Sequence, residues 1–149
     1  MRRMIHYAAR RWADSVLAVI DSETDPRTLQ MWARCAGASV GALRARCRAA
    51  GVATRDSLYF ARILRAVVLA HATAYWEPMN LLDIADSRTL RRVFIRSRLR
   101  ESGPPPALET FIAMQGFVTS PHNLAEIRDL LRQRSESTAH AAKVQGAGA

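Results

Sequence analysis

The chain has 149 residues, with 22 basic against 13 acidic side chains, a formal charge of +9 and a hydrophobic share of 49%. That length suits one domain, or two small subdomains sharing a core, and the apolar share is enough to build one. The only cysteines, Cys35 and Cys47, fall at small or apolar positions; they exclude a disulfide framework and read as packed thiols in a reducing compartment, while no apolar run approaches the ~18 residues of a membrane helix. So basic a balance points to a polyanionic partner, most often nucleic acid. All but one of the basic residues are arginine, Lys143 being the exception. Arginine is the better bidentate ligand for phosphate and guanine, but the same bias also follows from a GC-rich genome.

In chain order the pattern predicts helices throughout and no strand. The start, MRRMIHYAARRWADSV, is broken by arginines and lacks a small-residue cleavage site. It reads as a helix over about 4–20 and not as a secretory signal, with Trp12, Val16, Val19 and Ile20 forming one apolar stripe. Asp25-Pro26 is the signature of a cap followed by a first helical residue, so a second helix is expected from there, ending at Gly37. Ser39 is the next expected cap, followed by a helix over 40–50 closed by Gly51. Thr54 is expected to cap a longer helix running to about Trp76. Its body is apolar on nearly every face, as in a central helix packed from more than one side, and it spans about 30 Å. LLDIAD reads as a short helix, and Asp86 or Ser87 caps the next, SRTLRRVFIRSRL, whose inner edge is Leu90, Val93 and Phe94. Gly103-Pro104-Pro105-Pro106 is the clearest break in the chain. A helix over about 108–114 follows, then one started by Ser120-Pro121. Residues 135–149 have little to bury and read as a disordered tail.

The stretch WARCAGASVGALRARCRAAGV, residues 32–52, carries the most content. A helix-turn-helix needs a small residue in its first helix, a glycine or similar in the turn and an apolar residue on the inner side of its second helix. Ala33, Gly37 and Leu43 stand at that spacing, four and then six residues apart. An ordinary helical hairpin satisfies the same spacing.

Residues 33–70 resemble the first half of an AraC/XylS-type DNA-binding domain. Ala33, Ser39, Leu43, Arg48, Gly51, Leu58, Arg62, Ile63, Ala66 and Leu69 occupy the expected places in one unbroken register. The resemblance covers about 25–75 well, 81–99 weakly and nothing beyond. Cys47 stands where the family has a large aromatic, Ala45 replaces a frequent Arg, Ala53-Thr54 replaces Ser-Pro, and Ser57 replaces Tyr. Of the second helix-turn-helix only Leu82, Ala85, Arg92 and Phe94 stand as remains.

The resemblance implies an all-α helix-turn-helix bundle around a long central linker helix, with a C-terminal helical extension. It divides into an N-terminal helix (1–24), the helix-turn-helix with its linker helix (25–77), a degenerate second unit with the extension (78–134) and the tail (135–149). It implies a cytoplasmic, bacterial, sequence-specific or semi-specific transcriptional regulator that binds double-stranded DNA and lacks its own effector-binding domain. The expected contacts are Ser39, Val40, Arg44 and Arg48 from the first unit, with Arg88, Arg91, Arg92 and Arg96 on the phosphate backbone. The early residues of the second helix, Val40, Gly41 and Ala42, offer almost no hydrogen bonding to bases; Val40 can at most touch a thymine methyl, and Arg46 points nearer the spine. A homodimer is expected only from the habits of helix-turn-helix proteins. The alternative is a protein–protein module on a degenerate scaffold, with Phe111, Met114 and Phe117 presented to a partner. The four histidines show no metal-ligand spacing, and no phosphate loop or nucleophile elbow is present; the expectation is no enzyme, no metal, no cofactor and no membrane.

Overall fold

The computed structural model describes residues 1–100, 103–117 and 120–148, with 116 and 117 in backbone only. The fold is all-α, and no strand occurs among the described residues. Its centre is α4, Thr54–Thr73, built from SLYFARILRAVVLA, which buries Leu58, Phe60, Ala61, Ile63, Leu64, Ala66 and Val67. α1, Arg2–Leu17, lies on one side with Trp12, Ala13 and Val16 inward. The Phe60 ring stacks 5.8 Å from Trp12 and 5.8 Å from Phe111 of α7, Leu108–Ala113. Three aromatic rings thus tie the first, central and penultimate helices together. Phe111 is therefore core, not a surface presented to a partner; Met114 is half-buried in the 3₁₀ turn Met114–Phe117, and the Phe117 side chain lies outside the described residues.

α2, Leu29–Cys35, and α3, Val40–Ala49, form the helical hairpin. Thr28, not Asp25, caps α2, its side chain accepting from the Met31 N–H at 3.2 Å. Asp25 is instead buried beside Arg62 of α4. α4 begins at Thr54 with Ala53 in the cap position, so Thr54 is its first residue rather than its cap. It stops at Thr73, where Ala74 takes a left-handed conformation (φ 55°), short of Trp76. Trp76 then stacks on Phe94 at 6.3 Å.

The expected helix over LLDIAD is displaced: α5 is Pro78–Leu81, one turn long. The chain then reverses at Asp83 (φ 46°), with the Ile84 N–H bonded to the Met79 carbonyl at 2.8 Å. α6, Ser87–Arg96, is capped by Asp86, which accepts from the Thr89 N–H at 2.8 Å. It closes in the same way at Arg98 (φ 55°), with the Leu99 N–H on the Phe94 carbonyl at 2.9 Å. These are six-to-one closures like those at Gly37 and Gly51, but without the glycine that marks them in sequence.

α8, Pro121–Ala147, is capped by Ser120 and runs alongside α1 in the same direction. His6 lies against His122 and Glu126, while Asp21, beyond the end of α1, meets Arg134 at 2.9 Å. Arg10 reaches Glu126 at 3.4 Å and Asp129 at 3.3 Å. Residues 135–147, expected to lack structure, are helical and exposed throughout. Ala139, Ala141 and Ala142 are strong helix formers, so the last turns of α8 continue without a partner.

Two arginines of α4 hold the two halves of the chain. Arg62 donates through Nε to Asp25 (2.8 Å) and through Nη2 to the Leu82 carbonyl (2.8 Å). Arg65 donates to the carbonyls of Ser22 (2.9 Å) and Leu81 (3.3 Å). The spine thereby clamps the segment entering the hairpin and the turn leaving α5.

Candidate nucleic-acid interface

The turn between α2 and α3 follows from three residues. Gly37 has φ 61°, a conformation costly for any residue with a Cβ, and the Ala38 N–H bonds to the Ala33 carbonyl at 2.9 Å. Ser39 accepts from the Ala42 N–H at 3.1 Å and starts α3. Leu43 and Cys47 turn inward and are fully buried, which fixes the outward face of α3. Burial pushes the Cys47 thiol up, against lowering by hydrogen bonds from Ser57 and Thr54. Cys47 and Ser57 therefore meet, and Trp12 of α1 enters there, donating to the Ser57 hydroxyl at 2.9 Å. Trp12 and Cys47 belong to the same buried core.

The outward face of α3 has three parts. Its ridge is made of small residues: Gly41, Ala42, Ala45 and Ala49 are all exposed. One flank carries Arg44 and Arg48, both exposed, one turn apart, and making no hydrogen bond or ion pair with another described residue. These two arginines line a depression with Gly51, Val52, Ala53 and Thr54, where α4 begins. The cap of α4 makes no side-chain hydrogen bond, so its first N–H groups and the positive end of its dipole open beside two free guanidinium groups. The other flank abuts α1. Arg46 does not run along the spine as expected; its Nη1 donates to the Ser15 hydroxyl of α1 at 3.1 Å.

The expected contact residues divide accordingly. Ser39 is exposed at the start of α3, and Arg44 and Arg48 are exposed together on its flank. Val40 is half-buried and packs against the core, so it is not offered to a base as expected. On α6, Arg88, Arg91 and Arg92 are exposed, and Arg88 and Arg91 border a depression with Ser87 and Leu90. Arg96 departs from expectation: it pairs with Asp56 in the first turn of α4, its guanidinium carbon 5.5 Å from the centroid of the Tyr59 ring. It is a strut rather than a free phosphate ligand. That strut anchors the C-terminal end of α6 to the end of α4 that borders Arg44 and Arg48. Arg88, Arg91 and Arg92 lie further back along α6, and the depression that Arg88 and Arg91 border is separate from that of Arg44 and Arg48.

Among the described residues, no group of His, Cys, Asp and Glu is arranged to hold a metal ion, and no helix is long and apolar enough to cross a membrane. The chain matches no family model, no curated protein and no solved structure.

Proposed function

We propose that the chain is a DNA-binding transcriptional regulator of AraC/XylS-like organisation, and that α3 lies in the major groove. The observation that carries this reading is the outward face of α3: a ridge of glycine and alanine flanked by Arg44 and Arg48, beside the open N-terminus of α4. An uncharged, slim ridge can approach base edges closely, and the flanking cations and N–H groups suit phosphate oxygens. Ser39 keeps a hydroxyl hydrogen to donate while its oxygen caps the helix. Arg88, Arg91 and Arg92 extend the basic surface along α6. Because the ridge offers no side-chain hydrogen bonds, the expected binding is semi-specific, with sequence preference arising from DNA shape rather than base-by-base readout.

The test is fluorescence anisotropy with random and genomic duplexes at two salt concentrations. Binding at micromolar protein is expected, steeply weakened by salt. No binding near physiological salt would refute the reading. The second reading, a protein–protein module, draws on the same small-residue ridge, which also suits close helix packing. It is favoured if duplex DNA is ignored while light scattering shows self-association.

A further inference from the structure

α1 carries four arginines, Arg2, Arg3, Arg10 and Arg11, and no acid before Asp14. Arg10 turns toward the acids of α8. The others are exposed. The first turn of α1 has no acidic residue, and its cap makes no side-chain hydrogen bond. Arg2 and Arg3 thus oppose the helix dipole where acids would support it. Neither Arg2 nor Arg3 pairs with an acid among the described residues.

The same helix borders α3. Tyr7, Ala8 and Arg11 share a depression of about 320 Å³ with Ala42, Ala45, Arg46 and Ala49. Arg11 donates to the Tyr7 hydroxyl at 2.8 Å and lies 5.6 Å from the centroid of its ring, which holds its guanidinium up beside α3. Arg3 stands one turn before Tyr7 on the same face of α1. Tyr7 is 62% exposed, so its ring faces outward although it is aromatic. The ridge of α3 is therefore bounded by cations on both sides, Arg44 and Arg48 on one and Arg11 on the other, with Arg3 two turns before Arg11 along α1.

We propose that α1 is a second backbone-binding element, which makes the interface straddle the groove: Arg3, Tyr7 and Arg11 hold phosphates of one strand while Arg44 and Arg48 hold those of the other. This rests on the DNA-binding reading given above. A helix with its side chains is about 10–12 Å across, and the major groove is about 12 Å wide. Two rows of positive charge flanking one uncharged ridge match two rows of phosphate flanking one groove. An acidic protein surface has no such paired geometry, so duplex DNA is the partner the charge distribution favours.

The experiment compares three full-length double variants with the wild type by anisotropy on a random duplex, between about 50 and 200 mM salt. Arg3→Ala/Arg11→Ala and Arg44→Ala/Arg48→Ala are each expected to reduce the slope of log K against log salt by about two. Arg132→Ala/Lys143→Ala removes the same charge from exposed positions on α8 and is expected to leave the slope unchanged. Urea midpoints of all three should match the wild type, since the substituted side chains are exposed. If Arg3→Ala/Arg11→Ala behaves like the α8 control while Arg44→Ala/Arg48→Ala flattens the slope, the α1 assignment is overturned and the regulator reading stands. If the wild type does not bind, or Arg44→Ala/Arg48→Ala also behaves like the control, the reading beneath it fails as well.

Discussion

Replacing Asp25 by alanine strands Arg62. Both Nε and Nη2 of Arg62 lie 2.7–2.8 Å from one oxygen, Asp25 Oδ2, and the two side chains are 10% and 1% exposed. The other oxygen, Oδ1, is buried with no hydrogen-bond partner among the described residues. The pair is thus shielded from water yet incompletely satisfied. Removing one member of such a pair costs about 3–5 kcal/mol, because a buried charge is left without its counterion. Against a typical domain stability of about 5–15 kcal/mol that is a large fraction. For a chain of this size it corresponds to a fall in Tm of about 6–20 °C. Replacing both residues, Asp25→Leu with Arg62→Met, should regain most of the loss, since neither charge is then buried. Urea unfolding followed by far-UV circular dichroism measures all three. A loss below about 1 kcal/mol for Asp25→Ala would refute the assignment of this pair as the pin of the spine. Acid titration adds a second reading. Burial pushes the Asp25 carboxyl above the usual carboxylate range, against the lowering by Arg62. The folded chain then binds this proton more readily than the unfolded one. That contribution to stability is fully present below the unfolded value of about 3.9 and is lost as pH rises through the raised folded value. Asp25→Asn should lack this downward step.

Two other outcomes follow from backbone and tail. Ala74 ends the spine at φ 55° and is exposed, so Ala74→Gly should stabilise by about 0.5–1 kcal/mol in urea, whereas Gly37→Ala, at φ 61° with open space around a new Cβ, should destabilise by a similar amount. Truncation after Arg134 keeps the contact with Asp21, and the described residues it removes, 135–148, are all exposed; helical ellipticity should fall while the urea midpoint stays at the wild-type value.

The hairpin was legible because its signals are local. Gly37, Ser39 and Gly51 each act within three or four residues, and each does in the fold what its type suggests. The second half was harder to read because Asp83 and Arg98 end helices where glycine is the usual marker. Asp25-Pro26 has the form of a helix start, but its carboxylate is claimed by Arg62, 37 positions away. Arg96 looks like one more solvated arginine until Asp56, forty positions upstream, is brought beside it. Hydrophobic periodicity places Trp12 on an inner face, yet nothing near it in sequence says that its indole meets Ser57. What escaped the sequence is in each case a side-chain pairing across the fold, which propensity and spacing do not encode.

The departures from the AraC/XylS pattern fall into two groups with different consequences. Cys47 and Ser57 are inward, in one buried core with Trp12, whose indole donates to Ser57. Ala45 is outward, and α3 carries no arginine in its place, although Arg11 of α1 lines the same depression. Together with Gly41, Ala42 and Ala49, Ala45 leaves α3 smooth along the edge that would meet the bases. A helix held firmly in place but with no side chains to read bases is suited to tracking groove width and backbone position. On the proposed DNA-binding reading, affinity falls to the arginines on its flanks and sequence preference to the deformability of the duplex. Returning one side chain to the ridge tests this division of labour: Ala45→Arg should tighten binding to all duplexes by adding a cation, and should sharpen discrimination only for sites that place a guanine beneath it.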